Sequence, residues 1–302
     1  MKLRAWTWGL LAVAAAAATA MALAGGCGKN SPLNADTLGN LVGGSTGQLI
    51  KAGGHEMNAL ALSEKDEDAM GQSVGVSLTS HYGLYNNDQV QTYVTLVGLT
   101  VASASPNPGG NYVFGVLDTS EVNAFSGPNG YVFITRGLLE NVQDEAALAG
   151  VLSHEIGHVC HHDGLHQVQA AEQQGALTEA LKANNDIARF SALTDAGIDV
   201  ITKTGYTQPQ EFAADQEGVK IMTAAGYDPH SYLRFLQRLE QLQGSAAGGQ
   251  LMSTHPGISE RVKRVAEQIA AMNNPGGAIL ADRFAKSVNP AHAEAVNPQG
   301  PK

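Results

Sequence analysis

His154 and His158 stand four residues apart, with Glu155 beside the first, in the run His154-Glu155-Ile156-Gly157-His158. On a helix that spacing puts both imidazoles on one face, one turn apart, where they can reach a single ion. Two imidazoles suit zinc, and an adjacent carboxylate can take a proton from an attacking water and return it to a departing amine. The residue types and the spacing together point to metal-assisted hydrolysis, provided that the run is helical and a third ligand exists. The helix condition is met by the flanking sequence, since Asp144-Glu145-Ala146-Ala147-Leu148-Ala149 is a good helix start.

Two candidates compete for the third ligand. His161 points to the same side as His154, but seven residues of rise separate them by about 10 Å, too far to share an ion bound at about 2 Å. Nor does the order of His161 and Gly164 fit the pattern in which a Gly and then a third His follow the second His. His161, His162 and His166 therefore read as polar residues at a helix end. Glu211 is the better candidate, because a carboxylate completes a His₂Glu zinc site and leaves a fourth position for water. Asp215 lies one turn later on the same helical face and can accept the second ring N–H of a ligand histidine. Ala213-Ala214 between them favours close helix packing.

These side chains need elements to hold them. Helices are predicted from Ser63, over Asp88–Ala104, from Asp144 to about His162 with Asp163-Gly164 as the stop, and over much of Ala171–Thr204. Further helices follow over Pro209–Ala225, Pro229–Leu242 and Ile258–Met272. Strands are predicted at Tyr112–Leu117 and Tyr131–Thr135, and Gly127-Pro128-Asn129-Gly130 suggests that they pair as a hairpin. The polar stretch from Gly164 to Phe190 is a candidate lid. The expected fold class is α+β and mainly helical, with a small antiparallel sheet beside the active-site helix. The expected layout is a signal segment at 1–26, a flexible tether at 27–58, a catalytic domain at 59–274 and a disordered tail at 275–302.

Taken in order, Val122–Phe125, Gly130–Leu139, His154–His158, Glu211–Asp215, Ala225–Pro229 and Thr254–Pro256 resemble the M48 family of gluzincin metallopeptidases. The resemblance covers roughly residues 60–270. It implies one zinc ion held by His154, His158 and Glu211, with Glu155 as the catalytic acid/base. It also lifts His255, otherwise a bland surface residue beside Pro256, to a place near the metal. There it would either donate to the oxyanion or cap the zinc in a latent state. Arg261 matches a family arginine and is a candidate for the electrostatics of the site. The chain departs from integral-membrane relatives in having no set of spanning helices, and from some periplasmic ones in ending before a helical repeat domain.

Composition narrows the setting. The chain of 302 residues carries 18 Lys and Arg against 28 Asp and Glu, a net charge of −10, which argues against a nucleic-acid partner. Lys2 and Arg4 precede an apolar run from Leu10 to Leu23, and Ala24-Gly25-Gly26 leads to Cys27, which resembles a bacterial lipobox. After cleavage there, Cys27 would be the lipidated first residue of the mature protein, anchored in the cell envelope, with Gly28 favouring the outer membrane and a domain facing the periplasm. Cys160 would then be the remaining cysteine, without a disulfide partner. The expected activity is endopeptidase cleavage of unfolded or damaged envelope proteins, the substrate pairing in extended form with the edge of Tyr131–Thr135. The alternative is a zinc-stabilised chaperone or adaptor whose hydrolytic site is dormant.

Overall fold

The computed structural model describes residues 64–167, 205–242 and 253–288. The tether, most of the candidate lid, the helix expected over Ala171–Thr204, Cys27 and the last fourteen residues lie outside them. Among the described residues, no helix is long and apolar enough to cross a membrane.

Helices α1 (Glu64–Tyr82) and α2 (Asp88–Ala102) come first. Asn87 caps α2 by accepting from the Val90 backbone N–H. Three strands follow: β1 (Val113–Leu117), β2 (Ala124–Gly127) and β3 (Tyr131–Thr135). The sheet order is β1-β3-β2, with β1 parallel and β2 antiparallel to β3. The expected hairpin between Tyr112–Leu117 and Tyr131–Thr135 is therefore corrected, and the small sheet is mixed rather than antiparallel. The turn signal itself is real. Asn129 (φ 55°) and Gly130 (φ 88°) take the left-handed conformations that a tight reversal needs, but the strand they return is β2. β3 is thus central, paired on both sides, and offers no free edge.

The sheet separates two apolar layers by strict alternation. Val116, Ala124, Val132 and Ile134 face the main core, while Leu117, Phe125 and Phe133 pack with Val74 and Leu78 of α1. A short helix α3 (Arg136–Asn141), capped by Thr135, leads to α4 (Glu145–Cys160). Asp144 caps α4 at the Ala147 backbone N–H, 2.8 Å away. Every residue of α4 from Glu145 to His158 is buried, as its Ala- and Leu-rich sequence requires. The helices α5 (Gln208–Ala224) and α6 (Pro229–Gln241) pack on it, and α7 (Ile258–Ala271) packs on those two.

Small residues make the α4 contacts close. A Cβ on Gly157 would lie 2.9 Å from the Ala214 carbonyl oxygen, and one on Gly218 would lie 3.0 Å from the His154 backbone nitrogen. That approach of α5 to α4 brings Glu211 to the histidine pair. The loose tail expected after residue 274 is corrected for part of its length. Residues Ala281–Val288 form α8, which buries Phe284 and pairs Arg283 with the buried Glu145 at the start of α4. The apolar gain at Phe284 and the ion pair hold this segment against the core.

Candidate metal centre

Four side chains converge: His154, His158, Glu211 and His255 each offer one ligand atom within 4.8 Å of the others. All four are buried. The two Nε2 atoms lie 3.1 Å apart, and the Glu211 carboxylate oxygens stand 3.6 Å from His154 Nε2 and 3.4 Å from His158 Nε2. Ligands at about 2 Å from one tetrahedral ion are separated by about 3.3 Å, so these spacings suit a shared ion.

Both rings are oriented by carboxylates. His154 Nδ1 meets Asp215 Oδ1 at 2.9 Å, and His158 Nδ1 meets Asp163 Oδ2 at 2.8 Å. A carboxylate can only accept, so each Nδ1 carries the proton and each neutral ring turns a bare Nε2 toward the other. Two lone pairs 3.1 Å apart repel unless a cation lies between them. That cation is either a metal or a proton, and the residues present fit a divalent metal. The proton's natural seat is His158. Burial opposes its charge, but the hydrogen bonds of Asp163 and Glu211 and the charges of Glu211 and Glu155 push it up to about 9. Burial, with Arg261 nearby, lowers His154. Metal would enter by displacing this proton.

Arg261 binds the carboxylate side together. Its Nε and Nη2 donate to both Asp215 oxygens at 2.7 and 2.8 Å, and its Nη1 lies 2.7 Å from Glu211 Oε2. Burial would raise both carboxyls, but Arg261 holds Asp215 below the usual range, and His255 with Arg261 does the same for Glu211. Glu211 Oε2 nonetheless accepts no well-directed hydrogen bond, which leaves a buried anionic lone pair available to a ligand. Tyr232 donates to Asp215 Oδ1 at 2.7 Å.

Glu155 is 1 % exposed and accepts from the Ser126 hydroxyl at 2.7 Å through Oε2. Its Oε1 lies 4.0 Å from His255 Nε2. His255 Nδ1 lies 3.0 Å from Glu211 Oε1, and its Nε2 lies 3.5 Å from the Ala124 carbonyl of β2. His161 is not among the converging ligands.

The structure thus brings His154, Glu155, His158, Glu211, Asp215, His255 and Arg261 into one cluster. Sequence reasoning missed Asp163, which reads as a helix stop and stands five residues past His158, just beyond the end of α4. It also missed Ser126, Tyr206 and Tyr232, whose sequence neighbourhoods carry no chemical pattern. Tyr206 stacks on His158 with ring centroids 3.8 Å apart.

Known proteins match much of the chain. The family "Peptidase family M48" matches residues 87–269. The chain is 26% identical over 233 residues to the beta-barrel assembly-enhancing protease of Escherichia coli (strain K12), covering 74% of this chain and 45% of that protein. It is 25% identical over 239 residues to metalloprotease YcaL of the same strain, covering 77% and 91%. The mitochondrial metalloendopeptidase OMA1 of Arabidopsis thaliana is 29% identical over 156 residues, covering 50% and 30%. The chain thus spans under half the length of the beta-barrel assembly-enhancing protease that it matches.

Proposed function

The chain belongs to peptidase family M48, and from that premise we propose that it is a zinc-dependent endopeptidase acting on unfolded or damaged proteins of the bacterial envelope. The observation that carries this reading is the pair of Nε2 atoms held 3.1 Å apart beside the Glu211 carboxylate, each ring locked from behind by an aspartate. His154, His158 and Glu211 would hold the zinc, which when bound would supply Lewis-acid polarisation of a peptide carbonyl and a more acidic water.

The remaining work falls to side chains. Glu155 takes a proton from the attacking water and delivers it to the departing amine. Asp163 and Asp215 keep each ring in the tautomer that leaves Nε2 free, and Arg261 offsets the charge of Asp215 and Glu211. An extended substrate pairs with the outer edge of β2, since β3 is enclosed by its two neighbours. The pattern of residues 1–27 supports export, lipidation of Cys27 and a periplasm-facing domain on the outer membrane. Relatives named for beta-barrel assembly support the envelope setting.

Glu155→Gln tests the mechanism. It is expected to bind zinc as the wild type does and to lose cleavage of an unfolded casein by at least about a hundredfold. Chelation should abolish wild-type cleavage, and readdition of zinc should restore it. Full activity in Glu155→Gln would overturn the mechanism. A wild type that cuts nothing, yet rescues an aggregating client as well as Glu155→Gln does, would favour the chaperone reading.

A further inference from the structure

We propose, building on the peptidase reading above, that Ser126 and Tyr206 form a hydroxyl clamp that orients Glu155 for hydrolysis. Ser126 is the positioning residue and Tyr206 its support. Ser126 lies on β2, two residues from Ala124 and so on the same face, the one turned to the main core. It is 2 % exposed. Packing asks for nothing polar at such a place, and a buried hydroxyl is tolerated only with a partner.

The partner is Glu155 Oε2, 2.7 Å away. A carboxylate only accepts, so the single Ser126 hydroxyl proton is committed to it. Tyr206 closes the arrangement from the other side. Its hydroxyl donates to the Ser126 carbonyl at 3.0 Å and lies 3.2 Å from Ser126 Oγ. Its ring is held flat on His158, at an interplanar angle of 16°, and its backbone N–H donates to the Thr254 carbonyl at 2.9 Å. Tyr206 thus holds the Ser126 backbone from which the hydroxyl reaches Glu155.

A glutamate side chain has three rotatable bonds, and tying one oxygen to a rigid strand removes most of its swing. With Oε2 tied, Oε1 is the oxygen left on the side of His255 and the ligand cluster, 4.0 Å from His255 Nε2. The hydroxyl therefore chooses which oxygen of Glu155 faces the reacting centre.

The test compares Ser126→Ala, Ser126→Thr and Tyr206→Phe with the wild type as full-length, zinc-loaded proteins. Each is assayed for kcat and KM on a quenched fluorescent casein, zinc per chain and thermal midpoint, with Glu155→Gln as a control. Ser126→Ala is expected to lower kcat about 10- to 100-fold with KM within about twofold. Zinc per chain should be unchanged. Ser126→Thr, which keeps the hydroxyl, should recover most of the loss. Tyr206→Phe keeps the ring on His158 and should lower kcat about threefold. Wild-type kcat in Ser126→Ala, beside an inactive Glu155→Gln, would overturn the clamp and leave the peptidase reading standing. Loss of zinc, or a change in KM alone, would also overturn the clamp. An active Glu155→Gln would overturn the peptidase reading and the clamp with it.

Discussion

Four ligand atoms within 4.8 Å are one more than a hydrolytic zinc needs from its protein. His255 is the extra one. Its Nδ1 lies 3.0 Å from Glu211 Oε1, and as a fourth ligand it would compete with water for a bound metal. His255→Ala is therefore expected to keep one zinc on its three remaining ligands and to raise hydrolysis of a short peptide by about threefold or more. Steady-state rates beside zinc analysis would decide it. A fall of about a hundredfold with zinc retained would instead give His255 the oxyanion. At this scale the sequence was informative where chemistry follows spacing. His154 and His158 declare themselves because four residues make one helical turn, and Glu211 and Asp215 repeat that interval. Ser126 and Tyr206 do not, since their importance comes from the packing of β2 against α4 and no local interval encodes it.

Among the elements, α4 is fixed at one end by a buried charge. At its start, Glu145 is buried and receives Tyr93 and Tyr227 hydroxyls at 2.7 Å each, together with the Arg283 guanidinium of α8. Burial would raise the Glu145 carboxyl, but Arg283 and the two tyrosines outweigh it and the net direction is down. A carboxyl depressed in the folded state contributes stability that is complete above its unfolded value of about 4.3 and is lost as pH falls through the lower folded value. Arg283→Met removes the main cause of the depression. It is expected to cost about 1–2 kcal/mol at neutral pH, since Arg283 is itself half exposed, and to move acid unfolding to higher pH. Urea unfolding from pH 7 to pH 3 would show this, and superimposable profiles would count against it. This contact was invisible in the sequence. Residues 281–288 hold a single large apolar anchor, Phe284, in a Pro- and Ala-rich context that reads as a tail. The sheet failed for a related reason. The turn at Gly127–Gly130 was legible, but β2 is only four residues long and fully buried, too short to show an alternation that would name it as the partner.

For the molecule as a whole, the mainly helical class was legible because long helices with capped ends carry strong periodic signals. That β1 and β3 pair was legible too, but not that they run parallel, since β2, the strand that forms the antiparallel pair with β3, went unrecognised. What the whole fold achieves is the delivery of α5 onto α4 through Gly157 and Gly218, so that a carboxylate from one helix meets an imidazole pair from another. The direct measurement of that convergence is zinc per chain, by elemental analysis of the folded protein and of Glu211→Ala. One zinc in the wild type, and a loss of at least about tenfold in zinc affinity in a Glu211→Ala that remains folded, is the expected result. A folded wild type that takes up no zinc, or a Glu211→Ala that holds it as tightly, would contradict the shared site.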